Sequence, residues 1–411
     1  MNKLILLAPF LLLMLMGIAG ATTPSTIPSG IQYYVPINLT NSQTTATSAP
    51  FQQMVNITES TYSSYIAYSG STANFEYFYS NGTIIPAWIE SNSSGKLITW
   101  VKTISIPASS HIQIYLGFAS KTTNLLSSSG TSGIGEAPQL SSTYAKYDDG
   151  ASVFPNYWNF AGTTLPSPFT SVIGTDGSVS VNNGLSITLS SGAWGTYVIS
   201  NSTFTLTNQV LEADMQQNPL PSGTSQTVDV SLIWTGSSSG STSSYAFTLS
   251  GSSPPVFETV CDYEQGGATF TTNWGCTFGT TYTENTNYNI AGLGITSAGD
   301  IGFTQFNYAQ NNTGSSAQAI TSGYIMLQTT QQTANYQWLR TRAYPPNGVM
   351  PSVTFGAVQS IYTTLSISPN PATYGQSITI TATCNSTDTC AYILQRCGSV
   401  NPVYAERKRC I

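Results

Sequence analysis

Beyond an apolar N-terminus, short runs of alternating apolar and polar residues dominate the chain. In His111-Ile112-Gln113-Ile114-Tyr115-Leu116-Gly117-Phe118, the residues Ile112, Ile114, Leu116 and Phe118 fall on one face. From Thr227 to Trp234, Val228, Val230, Leu232 and Trp234 do the same, as do Tyr245, Phe247 and Leu249, and then Ile378 and Ile380. A period of two is that of a strand with one buried face. Glycine, asparagine and serine break these runs at short intervals, and helical periodicity is hard to find. The pattern predicts an all-β chain of tandem β-sandwich or jelly-roll domains.

The N-terminus has a different grammar. Lys3 precedes an apolar run from Leu4 to Ile18, and Ala19-Gly20-Ala21 offers the small-x-small pattern of a cleavage site. Residues 1–21 therefore read as a signal peptide. An uncleaved anchor is the competing reading, because the run approaches spanning length. Either way the remainder is expected to be extracellular or on the cell surface, touching membrane only through this segment.

Three zones follow. The first covers 31–143 and closes in the Ser/Gly-rich stretch Ser127 to Gly135. The second covers 144–361, the size of one large sandwich, with a low-complexity insertion at Gly236 to Ser244. The third, 362–411, begins with a strand over Ser377 to Thr383 and ends in a basic cluster of Arg396, Arg407, Lys408 and Arg409. An Ig-like domain needs about 100 residues, so this zone reads as a partial, truncated Ig-like domain. A basic tail that meets an acidic surface is the alternative.

Composition narrows the chemistry. The 411 residues include 11 Lys and Arg, 17 Asp and Glu, one His and a net charge of −6. No basic stripe is available for nucleic acid. Acid unfolding mostly reflects protonation of paired carboxylates, so a chain this poor in them is expected to tolerate acidic surroundings. The six cysteines, Cys261, Cys276, Cys384, Cys390, Cys397 and Cys410, all lie late in the chain. In an exported protein they are expected to be oxidised. A Cys261–Cys276 bridge would close a loop worth about 3 kcal/mol, and Cys384 could pair similarly with Cys390. Their spacings are not zinc-like. Seven N-x-[ST] sequons occur, at Asn38, Asn56, Asn81, Asn92, Asn201, Asn311 and Asn385.

Two stretches resemble known modules. Asn74-Phe75-Glu76-Tyr77-Phe78, Ile85-Pro86-Ala87-Trp88-Ile89-Glu90, Trp100-Val101-Lys102, Ile106-Pro107-Ala108 and Ile114-Tyr115-Leu116-Gly117 resemble the family called domain of unknown function 2341, which has no assigned chemistry. Asn74 and Glu76 stand where that family usually carries Asp and Arg. Tyr147-Asp148-Asp149-Gly150 with Tyr157-Trp158 is similar to the opening of a concanavalin A-like jelly roll. Trp338-Leu339-Arg340-Thr341-Arg342 and Val353-Thr354-Phe355-Gly356 are similar to its closing strands. The combination resembles surface proteins of acidophilic archaea and implies sandwich modules at a cell surface.

Concanavalin A-like folds host glycoside hydrolases, which need two carboxylates flanking the scissile bond. Glu212-Ala213-Asp214-Met215-Gln216 is similar to the acidic strand of laminarinase-like enzymes, but Gln217 stands where a further Glu is required. The plainer expectation is a strand with polar residues on a solvated outer face. His111, the sole histidine, is expected on a polar face. No cofactor is implied. Asp148, Asp149 and the Asp176-Gly177 pair are weak seeds for calcium, with turn chemistry as the bland alternative. Sugars stack on aromatic rings rimmed by amides. Trp274, inside the Cys261–Cys276 loop, is the leading candidate, followed by Tyr263 and Trp194, while Trp234 reads as core. The expected function is a non-catalytic, exported protein for adhesion, envelope structure or glycan binding. Its partners would be carbohydrate or other surface proteins. The alternatives are a glycoside hydrolase and an envelope component without ligand.

Overall fold

The computed structural model describes residues 23–189, 196–217, 228–236, 238, 244–253, 256–264, 270–273, 282–283, 288–312, 319–330 and 332–361, and short strands at 364–368, 379–383, 394–395 and 404–405. The described chain is almost entirely β. Its helical pieces are single turns at Glu59–Tyr62, Gly150–Val153 and Pro346–Gly348. None of the helices among the described residues is long and apolar enough to cross a membrane. Residues 1–21, expected to be a signal peptide, lie outside the described residues.

Two sandwiches account for the fold. In the first, one sheet runs Ser352–Phe355, Ile31–Asn41, Ser110–Ala119, Phe75–Phe78, Ile84–Ile85, with Gln359–Ser360 also paired to Ile31–Asn41. The facing sheet runs Gly135–Glu136, Ala87–Ser93, Lys96–Thr103, Phe51–Thr58. Between them Val35, Ile37, Leu39, Ile114, Leu116 and Phe118 meet Val55, Ile57, Ile89 and Val101, all fully buried. Alternation set this face, because a one-residue slip would turn the whole apolar set outward.

The second sandwich pairs two larger sheets. One is ordered Gly177–Val181, Leu185–Leu189, Thr333–Ala343, Gln209–Gln217, Asn289–Ile295, Ile301–Phe306, Ala309–Asn312. The other is ordered Phe169–Val172, Tyr197–Ser200, Tyr324–Thr330, Val228–Thr235, Ser244–Ser253, Val256–Glu264, Phe270–Asn273. Leu211, Ala213 and Met215 pack here against Leu232, Trp234, Phe247 and Leu249. Trp234 is core, as its strand face predicts.

The domain boundary differs from the sequence reading. The second zone was expected to run through 361, with Val353 to Gly356 among its closing strands. Instead Ser352–Phe355 pairs with the first strand of the first sandwich, Ile37 opposite Phe355 and Thr40 opposite Ser352. Val353 and Phe355 pack on the first core. An apolar alternation identifies a strand but carries no label for its sheet. The second sandwich is thus an insertion between strands of the first. In the third zone, Thr364–Ser368 pairs with Thr379–Thr383, and Leu394–Gln395 with Tyr404–Ala405.

The sandwiches meet across a buried, largely aromatic face. Trp88, Trp100 and Met54 from the first pack with Trp338, Ile290 and Tyr308 from the second, and Val153 and Phe154 from the connecting turn fill the seam. Gln52, wholly buried, donates to the Val153 carbonyl at 3.1 Å and accepts the Ala343 N–H at 2.9 Å. One amide therefore joins both bodies with its donor and acceptor satisfied.

Candidate functional site

The strand Gln209–Gln217 sends Leu211, Ala213 and Met215 into its own core and Glu212 and Asp214 to the opposite face. The strand Thr333–Ala343 lies antiparallel beside it, with Arg340 opposite Glu212 and Trp338 opposite Asp214. That register sets a carboxylate against a guanidinium. This face is not solvated, contrary to the sequence expectation. Glu212, Arg340 and Asp214 are 0%, 0% and 4% exposed, because the first sandwich lies over them.

Arg340 is the centre of the seam. Its Nε donates to Glu212 Oε2 at 2.7 Å and its Nη2 to Glu90 Oε2 at 2.7 Å, joining a glutamate from each sandwich. Arg342 Nε donates to the other Glu212 oxygen at 2.8 Å. The Arg340 guanidinium carbon lies 4.4 Å from the Trp338 ring centre, 4.5 Å from Phe154, 4.6 Å from Trp100 and 5.4 Å from Trp88. A desolvated cation gains from such ring faces. Trp100 Nε1 donates to Glu90 Oε2 at 2.8 Å, and the Tyr308 hydroxyl donates to the same oxygen.

The electrostatics follow from this packing. Burial alone would raise Glu212, but Arg342 and Arg340 outweigh it and hold the carboxyl below its ordinary value. Burial opposes the charge on Arg340, and Glu212 more than restores it. Asp214 has no such partner. Burial, reinforced by Glu90, pushes it well above the usual carboxylate range, with Arg340 opposing only in part. Its contact is a hydrogen bond from Gln139 Nε2 at 3.3 Å.

A cleft of about 340 Å³ opens beside this cluster. Trp100, Gln305, Tyr308 and Arg342 line it, and each also bonds Glu90 or Glu212. Met54, Met350, Gln310 and the exposed Val349 complete the walls. Tyr308 is aimed by a two-residue turn in which Asn307 and Tyr308 both have positive φ, 47° and 68°. Left-handed pairs of this kind match the twist of a tight hairpin. Asn307 secures the turn by accepting from the Ile290 N–H at 2.9 Å.

No family model matches the chain. Uncharacterized protein 562 of Sulfolobus islandicus rod-shaped virus 1 is 34% identical over 128 residues, covering 30% of this chain and 21% of that protein. The chain thus spans about a fifth of that relative's length. Among solved structures, the Bacillus licheniformis β-glucanase is similar at 14% identity and a TM-score of 0.34, covering 46% of this chain and 97% of that one. The carbohydrate binding module CBM66 from Bacillus subtilis is similar at 10% identity and a TM-score of 0.31, covering 43% and 96%. The catalytic domain of a Thermotoga petrophila laminarinase is similar at 11% identity and a TM-score of 0.34, covering 46% and 96%.

The other sequence candidates scatter. Asp148 is half-buried and accepts from Trp88 Nε1 at 2.8 Å, Asn159 Nδ2 at 2.7 Å, the Gly150 N–H at 3.1 Å and the Tyr157 hydroxyl at 3.0 Å. Its oxygens are occupied by protein donors. Asp149 is buried beside it. Asp176 is exposed in a turn, with φ 62°. Among the described residues no group of three or more His, Cys, Asp or Glu could hold a metal. His111 is exposed near a strand end. Trp194, Trp274, Cys276, Cys384, Cys390, Cys397, Cys410 and Asn385 lie outside the described residues. So do the side chains of Tyr263, Cys261 and Asn311, whose backbones lie in strands.

The Asp-Asp-Gly motif has a steric logic. A Cβ on Gly150 would be driven into the Tyr157 ring. Gly150→Ala is expected to cost about 1–3 kcal/mol by overpacking, read as a lower urea midpoint with an unchanged m-value.

Residues that sequence reasoning missed are Glu90, Tyr308 and the two arginines as one cluster. The signal was present in the spacing. Glu212 and the Arg-x-Arg pair, on separate strands of so uncharged a chain, need each other to be buried.

Proposed function

We propose that this is an exported, non-catalytic protein that binds neutral saccharide through the cleft between its sandwiches, in adhesion or envelope structure. The observation that carries it is the fate of the acids. Glu90 and Glu212 are tied to Arg340 beneath the cleft floor, and Asp214 is sealed under the first sandwich. A glycosidase needs one carboxyl free to give a proton and another free to attack or activate water. What faces the cleft is Trp100, Tyr308, two methionines, Val349 and the amide of Gln310, while the buried Gln305 amide is engaged by Glu212 and Arg342. Arg342 adds no net charge, since Glu212 meets it. Apolar and aromatic walls with an amide at the edge suit an uncharged ring with hydroxyls at its rim.

A second reading keeps the hydrolase. Two glutamates from different sandwiches meet on one guanidinium directly behind the cleft. One experiment addresses both. The full chain is screened on a glycan array and for release of reducing ends. The expected result is binding without turnover, weakened at least about tenfold, ~1.4 kcal/mol, when Val349→Trp fills the rim, and unchanged by Trp274→Ala. Absence of any retained glycan would remove the saccharide reading. Turnover abolished by Glu212→Gln would install the hydrolase instead.

A further inference from the structure

We propose that the chain carries N-linked glycans on Asn56, Asn81, Asn92 and Asn201, and none on Asn38. This rests on the export reading above. The sequence marks all five alike, and the fold separates them. Asn56 is exposed near the end of Phe51–Thr58, Asn92 near the end of Ala87–Ser93, and Asn201 just after Tyr197–Ser200. Asn81 is exposed in the turn between Phe75–Phe78 and Ile84–Ile85. The hydroxyl residue two places on, Thr58, Thr83, Ser94 or Thr203, is exposed in every case.

Asn81 shows the local chemistry best. Its Oδ1 accepts the Thr83 N–H at 3.0 Å, an Asx turn spanning the sequon itself. The carboxamide is held, and its nitrogen is left facing solvent. Gly82, at φ 81°, gives that turn its left-handed step, and a side chain there would press on Thr26.

Asn38 is built differently. It lies mid-strand, flanked by Gln113 on one neighbouring strand and Thr354 on the other. Its Oδ1 accepts from Gln113 Nε2 at 3.1 Å, and Gln113 accepts from the Tyr115 hydroxyl at 2.9 Å. Both Asn38 and Thr40 are half-buried. A saccharide there would have to stand among side chains of three strands and break that chain of bonds.

The modification is a glycosyl transfer. The asparagine Nδ2 forms a bond to the anomeric carbon of an oligosaccharide carried on a polyprenyl phosphate donor. The bond between that carbon and the phosphate oxygen breaks, the phosphate leaves with the electron pair, and the amide gives up one proton. Nothing is oxidised or reduced. On a surface with so few charges, such glycans would supply hydration that ionised side chains do not.

The test is glycopeptide mapping by mass spectrometry on the full chain, purified from the organism that makes it. Peptides holding Asn56, Asn81, Asn92 and Asn201 are expected to carry glycan, and the Asn38 peptide none. Each of N56Q, N81Q, N92Q and N201Q should lower the intact mass by one glycan, and N38Q by none. Protein recovered outside the cell with those four asparagines bare overturns the proposal and leaves export standing. Protein found only in the cytoplasm, and bare, overturns both. Glycan on Asn38 overturns the selection by fold.

Discussion

Replacing Arg340 with alanine is expected to cost about 3–5 kcal/mol of folding stability. The wild-type guanidinium neutralises one carboxylate from each sandwich at 2.7 Å, in a seam closed by Trp88, Trp100, Phe154 and Trp338. Removing it strands Glu90 among aromatic rings with only Trp100 and Tyr308 as donors. A buried charge without a counter-ion either destabilises the fold or takes up a proton. The deficit should therefore shrink as pH falls. Lysine is no substitute, because two separate nitrogens of one planar group serve the two glutamates. Urea denaturation followed by tryptophan fluorescence reads the effect, since three tryptophans line the cation. A variant within about 1 kcal/mol of wild type, the worth of an exposed pair, would show that Arg340 does not clasp the two bodies.

Stability is also expected to rise, not fall, between neutral pH and about pH 4.5. Burial is the first cause of a raised carboxyl at Glu76, Glu136, Asp148, Asp149 and Asp214. Each holds its proton more tightly folded than unfolded, where the ordinary values are 4.5 for Glu and 3.8 for Asp. Such a group contributes stability that is full below its unfolded value and lost as pH rises through its folded value. Glu212 has the opposite sign, since its arginines hold it down. Its contribution is present above 4.5 and disappears only as pH falls through its lowered folded value. Among the described residues five carboxyls thus favour acid against one, and the melting temperature should be higher near pH 4.5 than at pH 7.5. Asp214→Asn, uncharged throughout, should flatten part of that rise and match or exceed wild type at neutral pH. A melting temperature that declines steadily from pH 7.5 to 4.5 would reject this account. The acid tolerance anticipated from a low carboxylate count then acquires a different cause: carboxyls that fold more readily when protonated.

Strand faces were legible wherever one side is apolar and the other polar. Leu232, Trp234, Tyr245, Phe247 and Leu249 occupy the core their alternation assigns. Ile114, Leu116 and Phe118 do so too, but Tyr115 between them is also fully buried, in a second cluster on the outer face of the sheet. Alternation reports one buried face and is silent when a neighbour covers the other. The same silence hid the site. Glu212 and Asp214 look like solvated strand residues until a separate sandwich is laid on them, and that contact joins Glu90 to Arg340, 250 positions away. The membership of Ser352–Phe355 in the first sandwich was hidden for a related reason, since pairing partners are chosen by long-range geometry.

That returning strand has a mechanical consequence. The first strand, Ile31–Asn41, and the last pieces, Ser352–Phe355 and Gln359–Ser360, lie side by side and antiparallel, with Tyr33 opposite Ser360. A pull on the two flanking segments enters at the same edge of one sheet, so the bonds there yield one at a time, as in peeling, instead of sharing the load in shear. The inserted sandwich stands outside the line of tension and stays unloaded until that edge has parted.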